Sequence, residues 1–267
     1  MRRKSFAYAI VTGASSGIGA ALARRLAAAG TRELLLIARR RERLETLAAE
    51  LRRSTDSIQI EVADLTQPED VRRVAARIAA RPPDLLVNNA GVGLYGTFDG
   101  LELEAQLAMI DLNVRALVAL SHAYVAVVRQ RGHGTLLQVA STAGFVPIPY
   151  EAVYAATKSF VIQFSEALAE ELRDTPLRVV TLCPGFTETE FLQTAGLPDR
   201  VVLQRGTSAD AVAATALAAL GRSGSRIAVH GASSRIAAAL AHVAPRSWVV
   251  RGVGAWMRRG ITHRSAR

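Results

Sequence analysis

Tyr154-Ala155-Ala156-Thr157-Lys158 places a phenol and an ammonium four residues apart, a spacing that puts both on one face of a helix. A phenol with its ordinary pKa of ~10 is a poor base at neutrality. A nearby ammonium favours the phenolate, and a depression of two units requires ~2.7 kcal/mol. Such a tyrosine can exchange a proton with a substrate oxygen while a hydride moves. Composition makes the lysine informative. Lys4 and Lys158 are the two lysines among 33 Lys and Arg residues, so a lysine at a fixed offset from a given tyrosine has a chance of 2/267. A housekeeping surface cation would here almost always have been arginine. Ser141 ends the apolar run before this helix, where its hydroxyl could hold a substrate carbonyl or simply serve a turn. Asn113 falls inside a helical stretch, where an amide is mildly unfavourable. It could bond a water or a backbone group linked to Lys158.

A second constellation is Thr12-Gly13-Ala14-Ser15-Ser16-Gly17-Ile18-Gly19. Glycines there let the backbone turn tightly and approach a pyrophosphate, and the helix behind offers free N–H groups and a positive dipole end. The spacing is Gly-x-x-x-Gly-x-Gly, unlike the usual dinucleotide fingerprint. A tight strand-to-helix turn needs glycine for geometry too; the position between a first strand and a first helix favours the nucleotide reading. The next strand ends in Ala38-Arg39-Arg40-Arg41. An acid there would accept the ribose hydroxyls of NAD, whereas arginine accommodates a 2′-phosphate. The expected cofactor is therefore NADP(H). The plain alternative is the solvated first turn of a helix, where cations are disfavoured.

These residues need a scaffold, and apolar runs alternate with helical periodicities to supply it. Strands are expected at Ala7–Thr12, Leu34–Ile37, Ile58–Val62, Leu85–Val87, Thr135–Val139, Val179–Leu182 and Ile227–Val229. Helices are expected at Ile18–Ala29, Arg40–Arg53, Glu69–Ala80, about Ile110–Arg131, Ala152–Arg173 and Ala209–Gly221. The strands are apolar throughout, as burial on both faces requires. The fold class is α/β: a doubly wound seven-stranded parallel sheet of Rossmann type, helices on both faces, and a C-terminal helical extension. The division expected is a Rossmann-type domain over 1–231 and an extension over 232–267.

The chain has 267 residues, half of them hydrophobic, and a net charge of +10. The arginines are scattered along helices without interleaved aromatics, which argues against nucleic acid as a partner. A single cysteine, Cys183, allows no internal disulfide and suits a reducing cytoplasm as a buried structural thiol. The opening apolar run is too short for a signal segment, no uninterrupted apolar stretch is long enough to span a bilayer, and no metal site is expected.

Taken in order, TGASSGIG at 12–19, Asp64, Asn88-Asn89-Ala90-Gly91, Asn113, Ser141, Tyr154 with Lys158, and Pro184-Gly185-Phe186-Thr187-Glu188-Thr189 resemble the short-chain dehydrogenase/reductase superfamily over about residues 6–231. The resemblance implies an enzyme acting on CH–OH/C=O groups, with Tyr154 as acid/base and Ser141 orienting the substrate oxygen. It implies that Lys158 binds the nicotinamide ribose and lowers the Tyr154 pKa, and that Asn113 carries a proton-relay water. Gly13, Ser15, Ser16, Gly17, Ile18 and Gly19 would form the phosphate turn. Asp64 and Leu65 would flank the adenine, and Asn89, Ala90 and Gly91 would run along the cofactor. Pro184 and Gly185 would lead to Thr187 and Thr189 at its carboxamide and phosphate end. Relatives with a basic residue inside the turn use it for the 2′-phosphate; here that place is Ser16, so the NADP preference rests on Arg39 and Arg40. The stretches LLLIARRRERLETLAAEL and YAATKSFVIQFSEALAEEL resemble a bacterial branch of reductases, some acting on long-chain β-keto acyl esters, including mycolic-type lipid precursors.

The expected reaction is reduction of a ketone to a secondary alcohol on an apolar acyl-chain substrate. The alternatives are an oxidative alcohol or steroid dehydrogenase and, in another class, a catalytically silent nucleotide-binding scaffold. Residues 92–100 and 186–206 are expected to line the pocket. In 232–267, Ile236, Leu240 and Val243 keep helical spacing, and Trp248 and Trp256 mix with Arg246, Arg251, Arg258 and Arg259. This suits peripheral contact at the inner face of a membrane, or a helix pair that covers the pocket or meets another subunit. Gly252 and Gly254 weaken a regular helix there. The expected partners are a small-molecule or lipid-like ketone or alcohol and further copies of the chain, in a homodimer or homotetramer.

Overall fold

The computed structural model describes residues 5–196, 206–224, 226–243 and 245–258. Its first half alternates β1 (Tyr8–Thr12), α1 (Gly17–Ala28), β2 (Glu33–Ala38), α2 (Arg41–Leu51), β3 (Ser57–Val62), α3 (Pro68–Ala80) and β4 (Leu85–Asn88). Next come α4 (Leu103–Ile110), a π-helical segment (Asp111–Ala116), α5 (Leu117–Arg131) and β5 (Gly134–Val139). A 3₁₀ turn (Thr142–Phe145) precedes α6 (Ala152–Glu171) and β6 (Leu177–Cys183). Short elements follow: β7 (Thr187–Glu188), α7 (Glu190–Thr194) and β8 (Thr207–Ser208). The described chain ends with α8 (Ala209–Leu220), β9 (Arg226–Val229), α9 (Ala232–Val243) and α10 (Arg246–Arg258).

Seven strands form one parallel sheet in the order β3-β2-β1-β4-β5-β6-β9. β1 sits between β2 and β4, with Ile10 paired to Leu35 on one side and Leu86 on the other. The winding reverses there, which opens a crevice at the carboxyl ends of the strands. Alternate residues of β1 feed opposite layers. Ala9 and Val11 pack with Leu22, Leu26, Leu44 and Val212, whereas Tyr8 and Ile10 pack with Val74, Ile78, Leu120 and Tyr124. Burial on both faces is why this strand is apolar throughout.

Two elements differ from expectation. The helix placed at about Ile110 begins at Leu103 and is continuous to Arg131 through the π-helical segment. Leu103, Leu107 and Ile110 have the spacing of an apolar helical stripe, yet they stay exposed. By length and mean hydropathy this helix could cross a membrane; here Leu117, Leu120, Tyr124 and Val128 are buried in the globule. The second difference is Gly254. It lies inside α10, and a Cβ there would stand 3.1 Å from Pro149 Cγ. The residue expected to weaken the helix thus lets it approach the body closely. The Tyr95 hydroxyl donates to Met257 O at 2.9 Å, fixing α10 over the crevice.

Candidate active site

β1 delivers Thr12 to the crevice, and its side chain ties the turn to β4. Thr12 Oγ1 donates to Val87 O and accepts from the backbone of Asn89 and Ala90. Asn89 Nδ2 donates to Thr12 O at 2.9 Å. Gly13 and Gly17 have φ of +66° and +54°, conformations that disfavour any side chain. A Cβ at Gly19 would stand 2.2 Å from Gly13 O, so only glycine fits. Ser16, the residue before α1, makes no side-chain cap, and the first turn of α1 carries no acid. The turn therefore presents backbone N–H groups at a positive dipole end, which suits the phosphates of a dinucleotide.

The cation that the turn itself lacks arrives from the end of β2. Arg40 Nη2 donates to Ser16 Oγ at 2.7 Å, and Arg40 also meets Ser15 Oγ. Its Nη1 donates to Glu190 Oε2 at 2.8 Å, and Arg43 pairs with the same carboxylate. Both arginines hold the Glu190 carboxyl below its ordinary value, Arg43 most. Arg39 is more exposed and lies 3.8 Å from Asp64 Oδ2.

On the other side of the crevice, α6 carries Tyr154 and Lys158 into the same cavity. The Lys158 ammonium is buried and donates to Val139 O at 3.1 Å. Its Nζ sits 5.9 Å from the Tyr154 ring centroid. Burial pushes its pKa down to about 8, with the nearby Cys183 thiol opposing. The Tyr154 phenol departs from expectation: it is raised, not lowered. Burial is the main cause; a hydrogen bond with Ser141 opposes it, and the charge of Glu151 adds to it. Lys158 donates to the Val139 carbonyl of β5 and is not among the groups that shift the phenol. Cys183 is buried and pushed up to about 12 by burial, as a structural thiol should be.

Asn113 lies in the π-helical segment and is buried. Its Oδ1 accepts from Val92 N, and its Nδ2 donates to Val92 O and Thr157 Oγ1. It thereby grips the strand-end backbone beside Gly91, whose missing Cβ would meet Asn113 Oδ1 at 3.1 Å and Lys158 Nζ at 3.2 Å. Thr187 Oγ1 donates to Gly185 O, and Pro184 O accepts from Thr142 N.

One cavity of about 630 Å³ joins these parts. All the expected site residues line it except Asn113, which braces its wall. Of the expected pocket segments, Val92, Phe186, Glu190, Phe191 and Thr194 take part, while 197–205 lie outside the described residues. Sequence reasoning missed Ile148 and Glu151, and it did not single out Val253 and Met257 within the C-terminal segment as wall residues. The one signal for Glu151 was a lone charge in Val146–Tyr154, a stretch otherwise free of charge.

Comparison with known proteins agrees with this geometry. A short-chain dehydrogenase from Sphingobium yanoikuyae, solved in complex with NADPH, superposes with a TM-score of 0.79 at 33% identity, covering 88% of this chain and 93% of that one. The bulky-bulky ketone specific alcohol dehydrogenase from Comamonas testosteroni gives 0.77 at 31% identity, covering 90% and 93%. A sulfoacetaldehyde reductase of Chromohalobacter salexigens is 41% identical over 211 residues, 74% of this chain and 81% of that protein. Residues 7–198 match the family described as short chain dehydrogenase, and with Ser141, Tyr154 and Lys158 gathered at the mouth of a glycine-lined nucleotide crevice, the chain belongs to that family.

Proposed function

We propose that the protein is an NADP(H)-dependent reductase that converts an apolar, acyl-chain ketone to a secondary alcohol. The observation that carries the reading is the meeting of Tyr154 and Ser141 with the glycine turn and Arg40 in one cavity. The bound cofactor supplies the hydride. Ser141 and Tyr154 hold the ketone oxygen from their hydroxyls, and Tyr154 gives it a proton as the alcohol forms. A phenol kept protonated by burial has the proton that the developing alkoxide needs. Lys158, charged below about pH 8, faces the ribose position beside Gly91, and Asn113 keeps that wall in place. Arg39 and Arg40 favour a 2′-phosphate through charge-assisted hydrogen bonds.

The apolar substrate is supported by the far wall, where Val146, Ile148, Phe191, Val253, Trp256 and Met257 line the cavity. Exposed Leu103, Leu107 and Ile110 on α4, with Phe160 on the adjacent α6, support a homodimer or homotetramer. Exposed Ile236, Leu240 and Trp248 on α9 and α10 support peripheral membrane contact. The reaction is tested with NADPH and a panel of alkyl ketones. Tyr154→Phe keeps the ring and loses the proton, so turnover should fall by roughly 10²-fold or more while NADPH affinity holds. Lys158→Ala should harm both. Near-normal turnover by Tyr154→Phe would remove the proposed acid.

A further inference from the structure

The apolar end of the cavity contains one carboxyl group that the hydride chemistry does not use. Glu151 lies one turn before Tyr154, at the start of α6, and lines the cavity with Ile148 and Val146. Its backbone is engaged: its N–H donates to Ile148 O, and its carbonyl accepts from Ala155 N. Among the described residues its carboxylate has no hydrogen-bond or ion-pair partner. The cations on the cavity wall are committed elsewhere. Arg40 serves Ser15, Ser16 and Glu190, Arg39 is beside Asp64, and Lys158 donates to Val139 O. A partly desolvated charge without a partner is costly unless something supplies one, and burial pushes this carboxyl up to about 7.

The backbone that holds Glu151 is itself unusual. Tyr150 has φ of +71°, the one described residue other than glycine in the left-handed region. That conformation disfavours a bulky side chain and persists only where the surroundings over-determine it. Here they do. Tyr150 O accepts from Gly96 N at 2.9 Å, its ring lies 6.3 Å from that of Tyr95, and Pro149 abuts Gly254 of α10. The loop is fixed from both sides in a strained form that sets a carboxylate in an apolar wall, beside the catalytic phenol.

We infer that Glu151 is a specificity-determining residue that selects ketones bearing a protonated amine near the carbonyl. The inference rests on the ketone-reductase reading and narrows its substrate class to amphiphilic amino ketones. The carbonyl meets Ser141 and Tyr154, the ammonium pairs with Glu151, and the alkyl chain runs along Phe191, Val253 and Met257. A charge-assisted pair in such a wall discriminates far more than added apolar contact. The same carboxylate repels keto acids.

The test uses the protein–NADPH complex at pH 8, where the Glu151 carboxyl is ionised. Calorimetric titration should show 1-octylamine binding about tenfold or more tightly than 1-octanol, a difference that one charge-assisted pair readily supplies. Glu151→Gln, isosteric and free of any partner to lose, should bring the two affinities together while NADPH affinity stays unchanged. Equal affinities, absent binding of both, or a preference that survives Glu151→Gln overturns the inference. In turnover, 1-amino-2-octanone should show a lower KM than 2-octanone, and Glu151→Gln should erase the difference. If the amine preference holds in binding and neither ketone is reduced, the ketone-reductase reading fails and the assignment of Glu151 stands.

Discussion

Arg40 and Arg39, both proposed for the 2′-phosphate, stand in different surroundings. Arg40 rests on the two serine hydroxyls of the turn, the place where some relatives carry a basic residue of the turn itself. Arg39 stands farther out, near Asp64. Arg40→Ala should therefore reduce the NADPH-over-NADH preference more than Arg39→Ala, roughly tenfold or more for loss of a charge-assisted contact; fluorescence titration of both cofactors checks it. A larger effect at Arg39 would reverse that order. Glu151 yields a prediction for stability. Its carboxyl lies near 7 in the folded protein against an ordinary 4.5, so the folded state binds more protons between those values. The stabilisation is fully present below about pH 4.5 and is lost as pH rises through about 7. Glu151→Gln should abolish that slope and stabilise the protein at pH 8 by on the order of 1–3 kcal/mol relative to the unaltered protein, seen as a higher Tm. Thermal melts at pH 5 and pH 8 measure it, and parallel pH profiles would contradict it. Tyr154, Lys158 and the glycines were legible in the sequence because their chemistry is tied to fixed spacing. Glu151 was not, since its place in the cavity wall depends on the left-handed Tyr150 backbone and on α10, more than ninety residues later, packing against Pro149.

At the scale of elements, the alternation of apolar runs and helical periods was enough to place all seven sheet strands: the inner strands are apolar because both faces are covered, whereas the edge strand β3 alternates, with Gln59 exposed and Glu61 paired to Arg73 and Arg77. Two helical elements escaped: the apolar stripe of α4, Leu103, Leu107 and Ile110, is exposed and runs without a break into the longer helix, and α7 is five residues long. The π-helical turn around Asn113 has no signature in periodicity, yet it brings the amide onto both polar atoms of the Val92 backbone. The C-terminal pair was read as lid, subunit contact or lipid contact. Docking of α10 on Pro149 and Tyr95 makes it a wall of the cavity. That docking depends on a missing side chain. Gly254→Val would push two methyl groups toward Pro149, whose ring has little freedom to yield, and should displace α10 at a cost of about 1–3 kcal/mol. The variant should show a raised KM for long alkyl ketones, with NADPH affinity unchanged because the glycine turn lies on other elements. Unchanged KM for every chain length would mean that α10 does not bound the substrate.

For the whole molecule, the question is where a chain of net charge +10 would meet the apolar ketone proposed for it. The two tryptophans of the C-terminal segment serve different surroundings. Trp256 lines the cavity, whereas Trp248 is 73% exposed, and Ile236 and Leu240 are exposed on the preceding helix. Arg235, Arg246 and Arg251 are exposed among them. Arg259 lies outside the described residues. Apolar side chains with flanking arginines suit the headgroup layer, where tryptophan settles. Each arginine near an anionic surface adds about 1 kcal/mol, an attraction that salt weakens. The protein should therefore sediment with phosphatidylserine-containing vesicles at low salt and less at high salt. Truncation of the segment is a poor test, because α10 also walls the cavity. Trp248→Ser combined with Leu240→Ser changes the exposed surface alone and should reduce sedimentation while turnover on a soluble short-chain ketone persists. Sedimentation unaffected by that pair, or none at any salt, would assign this surface to solvent or to another copy of the chain. Lipid contact near the cavity mouth would then have no part in substrate delivery.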